Sequence, residues 1–104
     1  MATATSSNGK TGLTIPVAQN VLGKLGSYFD SHDFIRKLHK KHPGVYAYYL
    51  GTENNVNNVN QANGLISSFL SSNAQTLKIK KVYDDFVSIN ILRYESPNAL
   101  WKKI

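Results

Sequence analysis

Between Gly51 and Gly64 the chain carries seven carboxamides, at Asn54, Asn55, Asn57, Asn58, Asn60, Gln61 and Asn63. Each amide offers both a hydrogen-bond donor and an acceptor. In the same stretch Val56, Val59 and Ala62, followed by Ile66, recur at intervals of three and four, the spacing of one helical face. A helix with those residues turned inward leaves Asn57, Asn58, Asn60, Gln61 and Gly64 on the outside. A carboxamide can meet the donor and acceptor on the major-groove edge of adenine with two hydrogen bonds, so such a face is suited to reading base edges. A solvated loop or helix start is the plainer alternative.

The second group that could bind something is basic. Arg36, Lys37, Lys40 and Lys41 fall on the outer face of one amphipathic segment, and Lys78, Lys80 and Lys81 cluster further along. Together they could neutralise phosphates, with an affinity that falls as salt is added. Taken separately they form a solvated helix face and an edge strand that lysines protect against aggregation. The chain has 12 Lys and Arg against 6 Asp and Glu, a net charge of +6 that favours anionic partners without choosing among them.

Catalytic and metal chemistry find little to work with. No cysteine is present, which excludes disulfides, thiolate zinc sites and a cysteine nucleophile. His39 and His42 share a helix face, but no carboxylate lies near them in sequence, and His32 has only Asp30 and Asp33 close by. No serine sits in a Gly-x-Ser-x-Gly setting and no glycine-rich phosphate loop follows a strand. The expectation is a protein that is not an enzyme, with no cofactor and no metal site. No run approaches the length of a membrane span, so a cytoplasmic location is the default.

The elements that must position these groups follow from periodicity. Residues 1–12, small and polar, suit a flexible tail, with a single domain over 13–104. Pro16 opens a helix whose apolar face runs Val17, Val21, Leu25, Tyr28 and Phe29, weakened by Gly23 and Gly26. Asp30 or Ser31 caps a second helix with Phe34, Ile35 and Leu38 inside, closed by Pro43. Val45 to Leu50 is expected as a short helix, and Val56 to Leu70 as the longest one. Then the period becomes two: Leu77–Tyr83 and Phe86–Leu92 are expected as strands joined by a tight turn at Asp84-Asp85. Ser96-Pro97 is expected to open a terminal helix through Leu100, Trp101 and Ile104.

The expected fold is therefore a small α+β domain of four or five helices with one C-terminal antiparallel β-hairpin. From roughly Ser31 to Leu92 the order of helix, short helix, long helix and hairpin resembles that of winged-helix proteins. The resemblance implies that the third helix would enter the major groove while the hairpin lies against the backbone or minor groove. The functional expectation is a small, basic, non-enzymatic DNA-binding domain that uses Arg36, Lys37, Lys40, Lys41, Lys78 and Lys80 on phosphates and the amides on bases. The alternative is a protein-interaction or self-association module, a homodimer included, whose surface is formed by Tyr46, Tyr49, Trp101 and the hairpin edge. A contiguous basic face joining the Arg36–Lys41 helix to Lys78 and Lys80 would favour the first; scattered lysines beside exposed aromatics would favour the second.

Overall fold

A computed structural model describes residues 12–50 and 56–104, except the side chains of 56–58. Helix α1 covers Ile15–Leu22, and Thr14 caps it by accepting a hydrogen bond from the Val17 amide. It is shorter than expected. The helix stops at Gly23, and Leu25, Tyr28 and Phe29 leave its axis. Tyr28–Asp30 instead form strand β1, which had no local signal because three residues are too few to show a period.

Helix α2, Ser31–Lys41, follows without a loop. Asp30 Oδ1 accepts from the Asp33 amide at 2.7 Å while Asp33 Oδ2 accepts from the Asp30 amide at 3.0 Å. Two of the helix's orphan donors are thereby satisfied, and negative charge sits at the positive end of the dipole. After His42, Pro43–Leu50 form α3, as expected from a proline at the first helical position. Helix α4 runs Val56–Ser72 and buries Val59, Ala62, Ile66 and Leu70, the stripe anticipated by spacing. A single turn, α5, covers Ala74–Leu77 and ends on Lys78 in the left-handed region at φ 59°.

Two expectations fail in the C-terminal third. Asp84-Asp85 make no turn, since they lie inside strand β2, Ile79–Ile89. The chain reverses instead after Asn90, whose side-chain oxygen accepts from the amides of Leu92 and Tyr94 and holds the loop closed. The terminal helix is a strand, β3, Glu95–Lys103. Here the spacing of Leu100, Trp101 and Ile104 misleads, because alternation governs: Ala99 and Trp101 turn toward the core while Leu100 and Lys102 turn away.

The result has five helices among the described residues and a three-stranded antiparallel sheet of order β1-β3-β2. β1 pairs with β3 in the register Tyr28 to Lys102, Phe29 to Trp101 and Asp30 to Leu100. β3 then pairs with β2, in which extra residues lie between Lys81 and Tyr83 and between Tyr83 and Phe86. One core fills the space between helices and sheet, with Val21, Phe34, Ile35, Leu38, Ile66, Leu70 and Trp101 almost wholly buried. The Trp101 indole donates to Ser31 Oγ at 3.1 Å, which binds the middle of the sheet to the start of α2.

Candidate nucleic-acid interface

The register brings basic residues from distant parts of the chain together. Residues directly opposite each other in antiparallel strands share a face. Lys102 is opposite Tyr28 on one side and opposite Lys80 on the other, so Tyr28, Lys102 and Lys80 form one rung across the outer face. The Lys102 ammonium lies 5.6 Å from the centroid of the Tyr28 ring, and that ring is 58% exposed. Tyr28 in turn borders a surface groove of about 390 Å³, shared with Lys24, Arg36, Lys37 and Lys40. The α2 cluster and the strand lysine of the sequence analysis are thus joined through Tyr28 and Lys102.

Charges on this face differ in availability. Arg36 is committed: it meets Asp33 at 2.8 Å and donates to the Ile89 carbonyl. Lys24, Lys37, Lys40, Lys80 and Lys102 have no carboxylate within ion-pairing distance among the described residues. Lys41 is exposed in the last turn of α2 but does not border the groove. Lys78 is exposed beyond the end of the strand, where its carbonyl accepts from the Ile104 amide. Lys81 points to the inner side of the sheet, held 3.1 Å from Asp84 and 5.6 Å from the Trp101 ring centroid.

The amide group lies elsewhere. Asn57 and Asn58 open α4, and their side chains lie outside the described residues. Gln61 is exposed. Asn60 and Gly64 line a different cavity, of about 510 Å³, in which Ser67 and Ser71 of α4 face Asn98 of β3. Tyr46, buried, donates to Asn63 Oδ1 at 3.1 Å, and burial raises its phenol pKa. Among the described residues, Asn60, Gln61 and Gly64 of the base-reading set therefore do not border the basic groove.

The floor of that second cavity is a hydrogen-bonded clasp. Asn98 Oδ1 accepts from the His32 amide at 2.9 Å, and Asn98 Nδ2 donates to the Phe86 carbonyl at 2.8 Å and to Ser88 Oγ at 3.2 Å. Because Ser88 Oγ accepts there, its own proton is free for His32 Nδ1, 2.8 Å away. The arrangement suits a neutral ring with its proton on Nε2. Burial lowers the His32 pKa, reinforced by Arg36, while Asp30 and Asp33 oppose the shift.

The other histidines have separate partners. His39 packs edge-on against Tyr46 at 5.2 Å and His42 bonds Asn20 at 3.0 Å. Among the described residues no three His, Asp or Glu side chains come together as a metal-binding group. None of the described helices is long and apolar enough to cross a membrane.

Much of the alternative interaction surface is withdrawn. Tyr46 and Trp101 are inside the core, and Tyr49 spends its hydroxyl on the Leu13 amide. Large exposed apolar side chains gather instead on β2, at Val82, Tyr83, Val87 and Ile89. Sequence reasoning missed Lys24, Tyr28 and Lys102: Tyr28 and Lys102 meet only through the β1–β3 pairing, and Lys24 joins the groove only where the chain after α1 passes α2. The alternation around Trp101 was the signal available for Lys102. No protein-family model matches the chain, and no curated protein or solved structure matches it.

Proposed function

We infer that this chain is a non-enzymatic DNA-binding domain that grips the phosphate backbone through Lys24, Lys37, Lys40, Lys80 and Lys102. The observation that carries the reading is the rung Tyr28–Lys102–Lys80, which continues the α2 groove onto the sheet as one basic surface. Free ammonium groups on flexible stems suit phosphates, which position a protein without specifying sequence. Tyr28, exposed among them, adds a ring on which an unpaired base can stack.

Fluorescence anisotropy of labelled duplex and single-stranded DNA tests this. Binding should be measurable at low salt and weaken steeply as salt rises. Tyr28→Ala should weaken single-stranded binding more than duplex binding. Absence of binding at low salt and tens of micromolar protein would overturn the reading.

A further inference from the structure

The cavity of about 510 Å³ between α4 and the inner side of the sheet is bordered by three deeply buried polar residues, Ser31, His32 and Asn90, at 1%, 5% and 6% exposure. Each keeps a donor in hand. Ser31 Oγ accepts from the Trp101 indole, which leaves its own proton unspent. His32 Nδ1 accepts from Ser88, so the ring's proton is on Nε2, the side turned away from Ser88. Asn90 Oδ1 accepts from the Leu92 and Tyr94 amides, which fixes the orientation of the amide and leaves Nδ2 with protons to give. Among the described residues none of these donors meets a protein acceptor.

Buried polar groups are ordinarily paired, so donors collected at one cavity point to an occupant that supplies acceptors. Lys81 adds charge. It borders the same cavity and is held 3.1 Å from Asp84, whose side chain is 75% exposed. So exposed an ion pair contributes little, and the ammonium can turn to an entering anion at small cost. A neutral polyol fits less well, because each hydroxyl brings a donor with its acceptor, and the side-chain oxygens of Asn63 and Asn98 at this cavity are already engaged. A carboxylate brings acceptors alone, and a phosphate brings three strong ones.

We propose that this cavity binds the oxyanion of a small metabolite, a carboxylate or phosphate group, through Ser31 Oγ, His32 Nε2 and Asn90 Nδ2, with Lys81 at its mouth. The site lies on the inner side of the sheet, whereas the rung Tyr28–Lys102–Lys80 lies on the outer side, so it stands apart from the DNA-binding reading.

The test is an NMR titration of the isotope-labelled full chain with sodium phosphate and, separately, sodium acetate, at constant ionic strength and without DNA. At least one anion should shift the Ser31, His32 and Asn90 amides along one saturating curve, with a dissociation constant of about 5 mM or less, and the tighter of the two identifies the class. Asn90→Asp keeps the oxygen that the loop needs but exchanges the donor for a negative charge, and should weaken binding at least about tenfold. Lys81→Gln, a change at an exposed side chain, should weaken it about fivefold. Phosphate that also meets the basic groove should shift Tyr28 and Lys37 on a separate curve that both variants leave unchanged. Cavity shifts that stay linear to about 50 mM, as expected where water alone serves the donors, would overturn the proposal. So would glucose saturating the same amides as tightly, shifts confined to the groove, or folded variants that bind as the wild type does. DNA is absent throughout, so failure here leaves the DNA-binding reading standing.

Discussion

Asn98→Ala should destabilise the protein by about 2 kcal/mol, and the figure follows from what the amide holds. Its oxygen serves the His32 amide in the first turn of α2, a part-buried donor with no partner inside the helix. Leaving such a donor unpaired costs about 1–3 kcal/mol, and the low end applies because Asn98 borders an open cavity that admits water. The two bonds from its nitrogen, to Phe86 and Ser88, are nearer the surface and contribute about 0.5 kcal/mol each. Urea unfolding followed by circular dichroism should show the midpoint falling by roughly 1–2 M at unchanged slope. Ser88 bonds both Asn98 and His32, so Ser88→Ala and Asn98→Ala should be non-additive by about 0.5–1 kcal/mol. A loss below about 0.5 kcal/mol for Asn98→Ala, or strict additivity with Ser88→Ala, would refute the clasp.

Five unpaired lysines on the basic face imply a log-log salt slope near −4.5 on duplex DNA, or about a 500-fold loss of affinity from 50 to 200 mM salt. Lys80→Ala with Lys102→Ala should flatten the slope to about −2.7 and the loss to about 40-fold, measured by anisotropy titrations. His32 is held neutral, with a folded pKa below its unfolded value, so its contribution is whole above about pH 6.5 and is lost as pH falls through the folded pKa. Urea midpoints measured from pH 7.5 to pH 5 should therefore decline, and His32→Gln should flatten the decline. Lys78 occupies the left-handed region, so Lys78→Gly should raise stability by about 0.5 kcal/mol in thermal unfolding while leaving the salt slope unchanged.

Local signals were legible and pairings were not. The cap at Asp30, the buried stripes of α2 and α4, and the short α3 opened by Pro43 are all decided within a few residues, where spacing carries the information. The Asp84-Asp85 turn was inferred from composition, and strand pairing overrode it: Val87 to Ile89 pair with Glu95 to Pro97, which sets the reversal at Asn90. Trp101 carried the wrong period because Leu100, Trp101 and Ile104 suit a helix as well as a strand. The candidate site shows the same divide. Arg36, Lys37, Lys40 and Lys80 were visible as charges, whereas Tyr28 and Lys102 met only through a contact spanning more than seventy residues, and Lys24 joined them where the chain after α1 passes α2.

β3 joins the buried core to the charged outer face. Trp101 faces inward and Lys102 outward, so a one-residue slip of β3 would drive an ammonium into the core and expose the indole. The register is held at two points, the Trp101–Ser31 bond and the Asn98–His32 bond, both on the first turn of α2. Trp101→Phe keeps a ring in the core but deletes one of these ties, leaves Ser31 Oγ unpaired and opens a small void. It should therefore cost about 2 kcal/mol in urea unfolding. The charged rung itself should survive, since the mismatch energy of a slipped strand far exceeds that loss and Asn98 still holds the second point. DNA affinity and salt slope measured well below the unfolding midpoint should then match the wild type. A variant that stays folded but loses the slope would show that the indole hydrogen bond alone, and not the burial pattern of β3, sets where Lys102 stands.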